Sequence, residues 1–352
     1  MHYKFSSLEV VLIILSALFV VWAVISLIVL TGWGPWFETN SLDHFGSFIG
    51  GVMALLNLYY LIRTLIEQHR QNALASFESN FLELVKFCRG QLAEIEIENP
   101  DSVNQVLRGK KAITCIFHQI VSAIEIVDGA IQGRDVKELY ANEETFTHQQ
   151  ALWGDNHRNR VTINIAYTIS YVGVKYPNCD LLKEKYLAEY EPNMVKEILT
   201  KFRMKLSQKA PEELRNAEGN ALHKSDVLNC DEKYYQGFQN ELGNYFRMLY
   251  QAVTFVDSHA LTFQQKYKYV KMLRGQMSNM EECVLYYNSL SNFGLAWEKA
   301  QKEDNDGLIT KYNLIKNIPN DFCKPNPNKF YPNVFYEYLA SEPEGRRLKQ
   351  YR

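Results

Sequence analysis

The sequence predicts an all-helical protein that starts with a two-helix transmembrane hairpin and continues into a cytosolic helical domain. Three observations lead to this prediction: two uncharged apolar runs near the N-terminus, helical spacing of apolar residues further on, and no sustained alternation of the kind that strands show. We place the hairpin at residues 1–66, a helical stalk at 67–100 and the cytosolic domain at 101–340.

The first predicted span is the run from Val10 to Leu30, which contains no charged residue. At about 1.5 Å per residue it is long enough to cross the roughly 30 Å of bilayer hydrocarbon. A cleaved signal peptide is the alternative interpretation. Such a peptide has a shorter apolar core and a small-residue cleavage site, and neither is evident here.

The second predicted span is the uncharged run from Phe45 to Ile62, which is shorter and less apolar. Alone it would fit a core helix, but after a clear span and a short loop it is better explained as the return pass. The connecting loop holds Trp33, Trp36 and Phe37, and aromatic residues are enriched at membrane interfaces.

The basic residues give the orientation of this hairpin. No Lys or Arg occurs between Lys4 and Arg63, whereas the loop carries Glu38 and Asp43. Basic residues resume with Arg63 and Arg70. The positive-inside rule therefore predicts that both termini are cytoplasmic and that the loop is outside.

One face of the second span is formed by small residues. Gly46, Gly50 and Ala54 recur every four residues, and Asn57 follows on the same stripe. Such spacing lets helix backbones approach closely, either within the hairpin or between chains. We predict that these four residues form a helix-packing or oligomerisation face, with the lipid bilayer and further copies of the chain as partners.

The composition excludes several other classes of protein. The formal net charge is −2, so the whole chain has no electrostatic attraction to nucleic acid, which is not an expected partner. The six cysteines are scattered and are predicted to be free buried thiols rather than zinc ligands or disulfides. No phosphate-binding loop, nucleophile elbow or dinucleotide fingerprint occurs, and we expect no cofactor.

Beyond the spans, the pattern indicates helices joined by polar loops. No Pro or Gly lies between Val52 and Arg89, which predicts that the second span continues as one helix, the alternative being a break near Gln68 to Gln71. Three further segments are predicted to be helical, of which the second is central and the third ends at a glycine: Ala112 to Ile131, Thr162 to Val174 and Tyr269 to Gly294. Polar loops are predicted near Glu96 to Gln105, Ala141 to Arg160 and Lys302 to Asn328.

The stretch "NYFRMLYQAVTFVD" contains the one charge in this region that invites a functional role. Its apolar residues recur at spacings of three and four, which is typical of a helix facing the core. Arg247 lies beside that stripe. We predict a structural ion pair with a carboxylate, and a contact with a ligand or phosphate and a catalytic role are the alternatives.

Several blocks in this order resemble the phage abortive infection proteins of bacteria. They are "FESNFLELVKFCRGQL", "RGKKAI", "NIAYTISYVGV", "ELGNYFRMLYQAVTFVD" and "YKYVKMLRGQMSNMEECVLYYNSLSNFG". The resemblance covers roughly residues 45 to 295. It implies a bacterial inner-membrane protein that limits phage propagation, and it supplies no agreed catalytic residue. Related sequences have His where this chain has Asn244, so an acid-base pair of that His with Arg247 would be incomplete here.

The resemblance leaves three mechanisms open. The preferred one is non-enzymatic: the cytosolic domain senses an infection product or a phage-derived or host protein, and the spans associate or perturb the inner membrane. A membrane-tethered effector that cleaves RNA is the second, and a scaffold that recruits another defence protein is the third.

The residues that would support an enzyme are few. Arg63 and His69 have the spacing found in helical defence ribonucleases, but they lie at the cytosolic edge of the second span, where topology alone requires basic residues. Asp155 and His157 are possible metal ligands, although a solvated polar loop explains them better. We therefore assign no catalytic and no metal-binding residue.

Overall fold

The structure is a computed structural model that describes residues 22, 26, 39–99, 105–174, 178–209, 235–298 and 307–339. The chain divides into two compact units, Met1–Phe77 and Glu78–Arg352. The first predicted span, Val10 to Leu30, lies outside the described residues except for Trp22 and Ser26. The loop after it, with Trp33, Trp36 and Glu38, also lies outside them.

The described part of the chain is mostly helical, as predicted. The α-helices in the described residues are α1 (Thr39–Glu94), α2 (Lys110–Ile131), α3 (Glu143–Trp153), α4 (His157–Val172), α5 (Asn178–Leu181), α6 (Pro192–Lys209), α7 (Gln239–Ser258), α8 (Phe263–Arg274), α9 (Asn279–Leu290) and α10 (Leu308–Tyr312). The strands β1 (Glu96–Glu98) and β2 (Val106–Arg108) pair antiparallel between α1 and α2.

Helix α1 contributes residues to both units and has no break at Gln68 to Gln71. In the first unit most of its apolar side chains are exposed: Leu55 is 69% and Ile66 is 65% accessible. Thr64 donates its hydroxyl hydrogen to the Tyr60 carbonyl, so that polar group is satisfied within the helix. The segment from Ile49 onward is long and apolar enough to cross a membrane.

A second described helix, α2, passes the same test of length and composition. Over half of its most apolar window is buried, at 56%, whereas none of the window in α1 is buried. Helix α2 packs against α4, α6 and α9. It is therefore a core helix of the second unit, and its amphipathic pattern is explained by this packing.

The core of the second unit is built from α2, α4 and α9. Nearly every residue of α4 is buried, as predicted for the central "TINIAYTISYV" segment. Residues Glu281–Leu290 of α9 are all buried too. The C-terminal part of α1 adds a buried apolar stripe at helical spacing, with Phe81, Val85 and Cys88 buried.

Several of the predicted element boundaries were wrong. The predicted loop from Glu96 to Gln105 contains β1, and the one from Lys302 to Asn328 contains α10. The segment from Tyr269 to Gly294 is two helices, because α8 ends at Arg274 and Ser278 starts α9 through a capping box with Glu281. Much of the predicted loop from Ala141 to Arg160 is helical. There the Asn142 side chain accepts a hydrogen bond from the Thr145 N–H at 2.8 Å and caps α3.

The end of α4 crosses the start of α7 at two glycines. Gly173 (φ +86°) and Gly237 (φ +100°) both adopt conformations that favour glycine. A Cβ at Gly173 would lie 2.1 Å from the Gln236 carbonyl oxygen, and one at Gly237 would lie 2.4 Å from that of Val172. This close approach sets the C-terminal turn of α4 beside the N-terminal turns of α7.

Candidate functional site

Helix α7 presents one arginine beside a buried apolar stripe. The residues that were predicted to face the core are buried, namely Leu242, Tyr245, Phe246, Leu249 and Val253. Tyr250 is half-buried and Arg247 is exposed. The apolar stripe anchors the helix, so the backbone of Arg247 is held firmly while its guanidinium remains accessible.

The guanidinium of Arg247 makes a hydrogen bond within its own helix. Its Nη2 donates to Oδ1 of Asn244 at 2.5 Å. No carboxylate in the described ranges lies within ion-pair distance of Arg247. The positive charge is thus held in place by a neutral amide, and in the described part of the chain it is not compensated.

Two adjoining cavities meet at Arg247. The first is approximately 270 Å³ and is lined by Tyr171, Gly243, Phe246, Arg247, Tyr250, Gln251, Asn288, Phe293, Gly294, Ala296 and Trp297. The second is approximately 330 Å³ and is lined by Phe87, Gln91, Asn244, Arg247, Met248 and Gln251. We call the two together the Arg247 cleft. Its described lining contains six aromatic side chains, one cation and no carboxylate.

Gly243 lines the first cavity of the cleft. A Cβ at this position would lie 3.0 Å from the Tyr171 hydroxyl and 3.6 Å from Arg247 Nη2. Both polar groups therefore approach the same backbone position. Burial raises the pKa of the Tyr171 phenol, and the nearby Arg247 charge partly opposes that rise. The hydroxyl accordingly stays protonated and can donate a hydrogen bond into the cleft.

The floor of the cleft is a rigid hydrogen-bonded layer. Asn288 donates from Nδ2 to the Tyr167 hydroxyl at 2.9 Å, and its Oδ1 accepts from Trp297 Nε1 at 3.2 Å. Gly294 lies so close to the Asn288 backbone that a Cβ there would be 2.1 Å from its carbonyl oxygen. The indole and the backbone beneath the cleft thus have little freedom to move.

A polar cluster around the buried Arg160 adjoins Phe293, one of the residues that line the cleft. Arg160, which is 2% exposed, donates from Nη2 to Asn292 Oδ1 at 2.5 Å and from Nη1 to the Tyr190 hydroxyl at 3.1 Å. Glu189 accepts from Asn164 and Asn292 at 3.1 and 2.7 Å. Because Asn292 precedes Phe293, these bonds fix the position of one aromatic wall of the cleft.

The two residues considered as metal ligands lie in different environments. Asp155 is exposed, whereas His157 is 5% exposed and its ring contacts those of Tyr140 and Phe146, at 5.7 and 5.4 Å between centroids. Burial, and then the charge of Arg160, lower the pKa of His157. Among the described residues, no group of three or more His, Cys, Asp or Glu side chains is placed to hold a metal ion.

Arg63 and His69 lie on the same helix in the first unit. Six residues along an α-helix correspond to a rotation of about 600°, so the two side chains point about 120° apart. His69 is exposed and Arg63 is half-buried. Helix geometry alone does not bring this pair to a shared substrate.

The small residues predicted as a packing face have open space beside them. No described atom lies within 4 Å of the positions that a Cβ would take at Gly46 or Gly50. Ala54 and Asn57 are exposed as well. The five described cysteines are thiols that form no disulfide with one another, and four of them are buried; Cys230 lies outside the described residues.

Sequence reasoning identified Arg247 but missed Tyr171, Gly243 and Arg160. Tyr171 comes from a distant helix, so no local spacing connects it with Arg247. A glycine inside an otherwise strongly helical segment was the available signal for Gly243, because such glycines often mark a close approach. An arginine at the start of the nearly all-apolar α4 was the signal for Arg160.

Comparison with known proteins gives one match. Residues 237–323 match the family model described as "Putative phage abortive infection protein". This segment contains α7, α8, α9 and α10, and therefore Arg247 and most of the cleft lining. Neither the curated proteins nor the solved structures give a significant match to the chain.

Proposed function

We propose that this chain is an inner-membrane protein of bacterial defence against phages, in which the Arg247 cleft senses infection and the membrane spans carry out the response. The match of residues 237–323 to an abortive infection family supports the defence role. In this proposal residues 1–66 form the hairpin, 67–100 the stalk and 101–340 the cytosolic domain. Both termini are cytoplasmic, in keeping with the basic residues at Lys4, Arg63 and Arg70.

The observation that supports this mechanism best concerns helix α1. Its apolar segment in the first unit is exposed and long enough to cross a bilayer. Its C-terminal turns contribute Phe87 and Gln91 to the cleft in the second unit. One continuous helix thus contains both the membrane segment and residues that a bound trigger would contact. A trigger that binds one conformation of these residues more tightly raises the population of that conformation of α1. The spans respond to this change.

The response of the spans is self-association through Gly46, Gly50, Ala54 and Asn57. Small residues at this spacing allow close backbone contact, and Asn57 adds a side chain able to hydrogen-bond between helices. The open space beside Gly46 and Gly50 is compatible with a second copy of the chain. Association of the spans would then perturb the inner membrane of the infected cell.

The proposal is tested first by plating phages on bacteria with and without the gene. We expect fewer plaques on cells that make the protein. In the same cells, a membrane-impermeant thiol reagent should label a cysteine placed at Asn40 and not one placed at Asn72. Equal plating on both strains would contradict the defence role, and the reverse labelling pattern would contradict the orientation.

A further inference from the structure

The Arg247 cleft has the chemistry of a site for a small anion that carries a planar ring. From its lining we infer that the trigger is a ligand of the nucleoside monophosphate class, whose phosphate binds Arg247 and whose base packs among the aromatic side chains. This inference rests on the proposed sensing role of the cleft, and it names the ligand that the cleft would sense.

The charge of the ligand follows from the pairing of Arg247. Its guanidinium donates to Asn244, a neutral partner, and no carboxylate belongs to the described lining of either cavity. Guanidinium groups bind phosphate through charge-assisted and often paired hydrogen bonds. The Tyr171 hydroxyl, which approaches the same glycine, supplies a second donor for the anion.

The ring of the ligand follows from the aromatic walls. Tyr171 and Phe293 have centroids 4.6 Å apart, and Tyr250 meets Trp297 edge to face at 5.1 Å. Both pairs line the first cavity, so they offer faces and edges on which a planar ring can pack. Gln251 and Gln91 add amide groups that both donate and accept, as the edge of a base requires.

The size of the cleft limits the ligand to a small molecule. The two spaces, of approximately 270 and 330 Å³, fall at the lower end of the range of small-molecule sites, about 300–1,000 Å³. A single cation is present in the described lining, whereas a nucleic acid strand would need a row of basic groups along its backbone. A mononucleotide matches the volume, and it has one phosphate group for the one guanidinium in the described lining.

The inference is tested by calorimetry on the full chain in detergent, with AMP, adenosine and inorganic phosphate as separate probes. We expect AMP to bind and to bind more tightly than either fragment. Arg247→Gln should weaken AMP binding about tenfold or more, because a charge-assisted hydrogen bond is lost. Arg108→Gln is the matched control, since Arg108 also bears a positive charge but does not line the cleft.

A second variant keeps the arginine and guards against misfolding of Arg247→Gln. Asn244→Asp places a carboxylate next to the guanidinium and should also weaken AMP binding. The inference is overturned if AMP does not bind at millimolar concentration, if Arg247→Gln binds it as well as the natural chain, or if phosphate alone binds as tightly. Phage protection is measured in parallel. If a variant loses AMP binding but still protects, the cleft is a ligand site that has no role in sensing infection.

Discussion

The Arg247 guanidinium is held by the Asn244 side chain, one helical turn earlier on α7, through a 2.5 Å hydrogen bond. This pairing orients the cation without neutralising it. An amide partner leaves the charge available to an anion, whereas a carboxylate at the same position would compete with that anion. The identity of residue 244 therefore decides how strongly the cleft attracts negative charge.

The first prediction concerns that residue. Asn244→Asp should abolish phage protection while the fold is kept, because an acidic residue three positions before an arginine stabilises a helix by about 0.2–0.5 kcal/mol. Asn244→Ala is the control, since it removes the hydrogen bond without adding a charge, and it should retain most of the protection. Plaque counts and thermal unfolding of both variants provide the measurement. Full protection by Asn244→Asp would contradict a role for the free charge.

A second prediction separates stability from function at Gly243. Alanine in place of glycine within a helix stabilises it by about 1 kcal/mol. Here the added Cβ would lie 3.0 Å from the Tyr171 hydroxyl and displace it. We expect Gly243→Ala to be at least as stable as the natural chain in thermal unfolding and to lose protection. The prediction fails if the variant protects normally.

Gly173→Ala serves as the contrasting variant in that experiment. Its Cβ would meet the Gln236 carbonyl oxygen at 2.1 Å, and that oxygen belongs to the backbone, which cannot move cheaply. The backbone conformation at Gly173 also disfavours alanine. This variant should therefore lose stability as well as protection, unlike Gly243→Ala.

The third prediction concerns the membrane segment of α1. Gly50→Leu adds a bulky side chain to the small-residue face while apolar character still favours insertion. We expect normal membrane levels, no self-association and no protection. Gly51→Leu is the matched control, because one residue along the helix turns the added side chain about 100° away from that face.

Crosslinking of membranes from both variants gives the outcome. A lower protein level with no change in oligomer size would show that Gly50 packs within one hairpin rather than between chains. An unchanged oligomer ladder together with full protection would show that the spans serve only as an anchor.

The fourth prediction uses the buried histidine. Burial, and then the charge of Arg160, lower the pKa of His157, so its folded form is neutral. Below the unfolded pKa of about 6.5, the unfolded chain binds a proton that the folded chain resists. The contribution of His157 to stability is therefore present at neutral pH and is lost as the pH falls below about 6.5.

His157→Phe should remove this loss, because a phenyl ring can keep the ring contacts with Tyr140 and Phe146 and does not titrate. Denaturant unfolding at pH 7 and at pH 5 provides the comparison. Between these pH values the free energy of unfolding should fall less for the variant than for the natural chain. Protection should be unchanged. A loss of protection with normal protein levels and a metal-dependent RNase activity would instead favour an enzyme.

The parts of this structure that the sequence predicted are those set by local periodicity. Leu242, Tyr245 and Leu249 recur with the helical period and are buried, as expected from their spacing. The central position of α4 followed from its apolar content. These features depend only on residues within a few turns of each other.

The parts that the sequence did not predict depend on turns and on distant contacts. The apolar spacing continues across Gly275–Ser278, although the structure has two separate helices there. The capping box at Ser278 starts a new helix and so competes with continuation of the first. Tyr171 and Arg247 line the same cavity, and the helices that carry them approach each other closely at Gly173 and Gly237. Such an approach between distant segments leaves no periodic signal.

The most direct test of the account follows membrane potential and bulk RNA integrity together in infected cells that carry the gene. We predict that the potential collapses after infection while ribosomal RNA stays intact, and that Arg247→Gln preserves the potential and permits phage growth. Fragmented RNA in cells that keep their potential would contradict the account and favour the tethered RNA-cleaving effector.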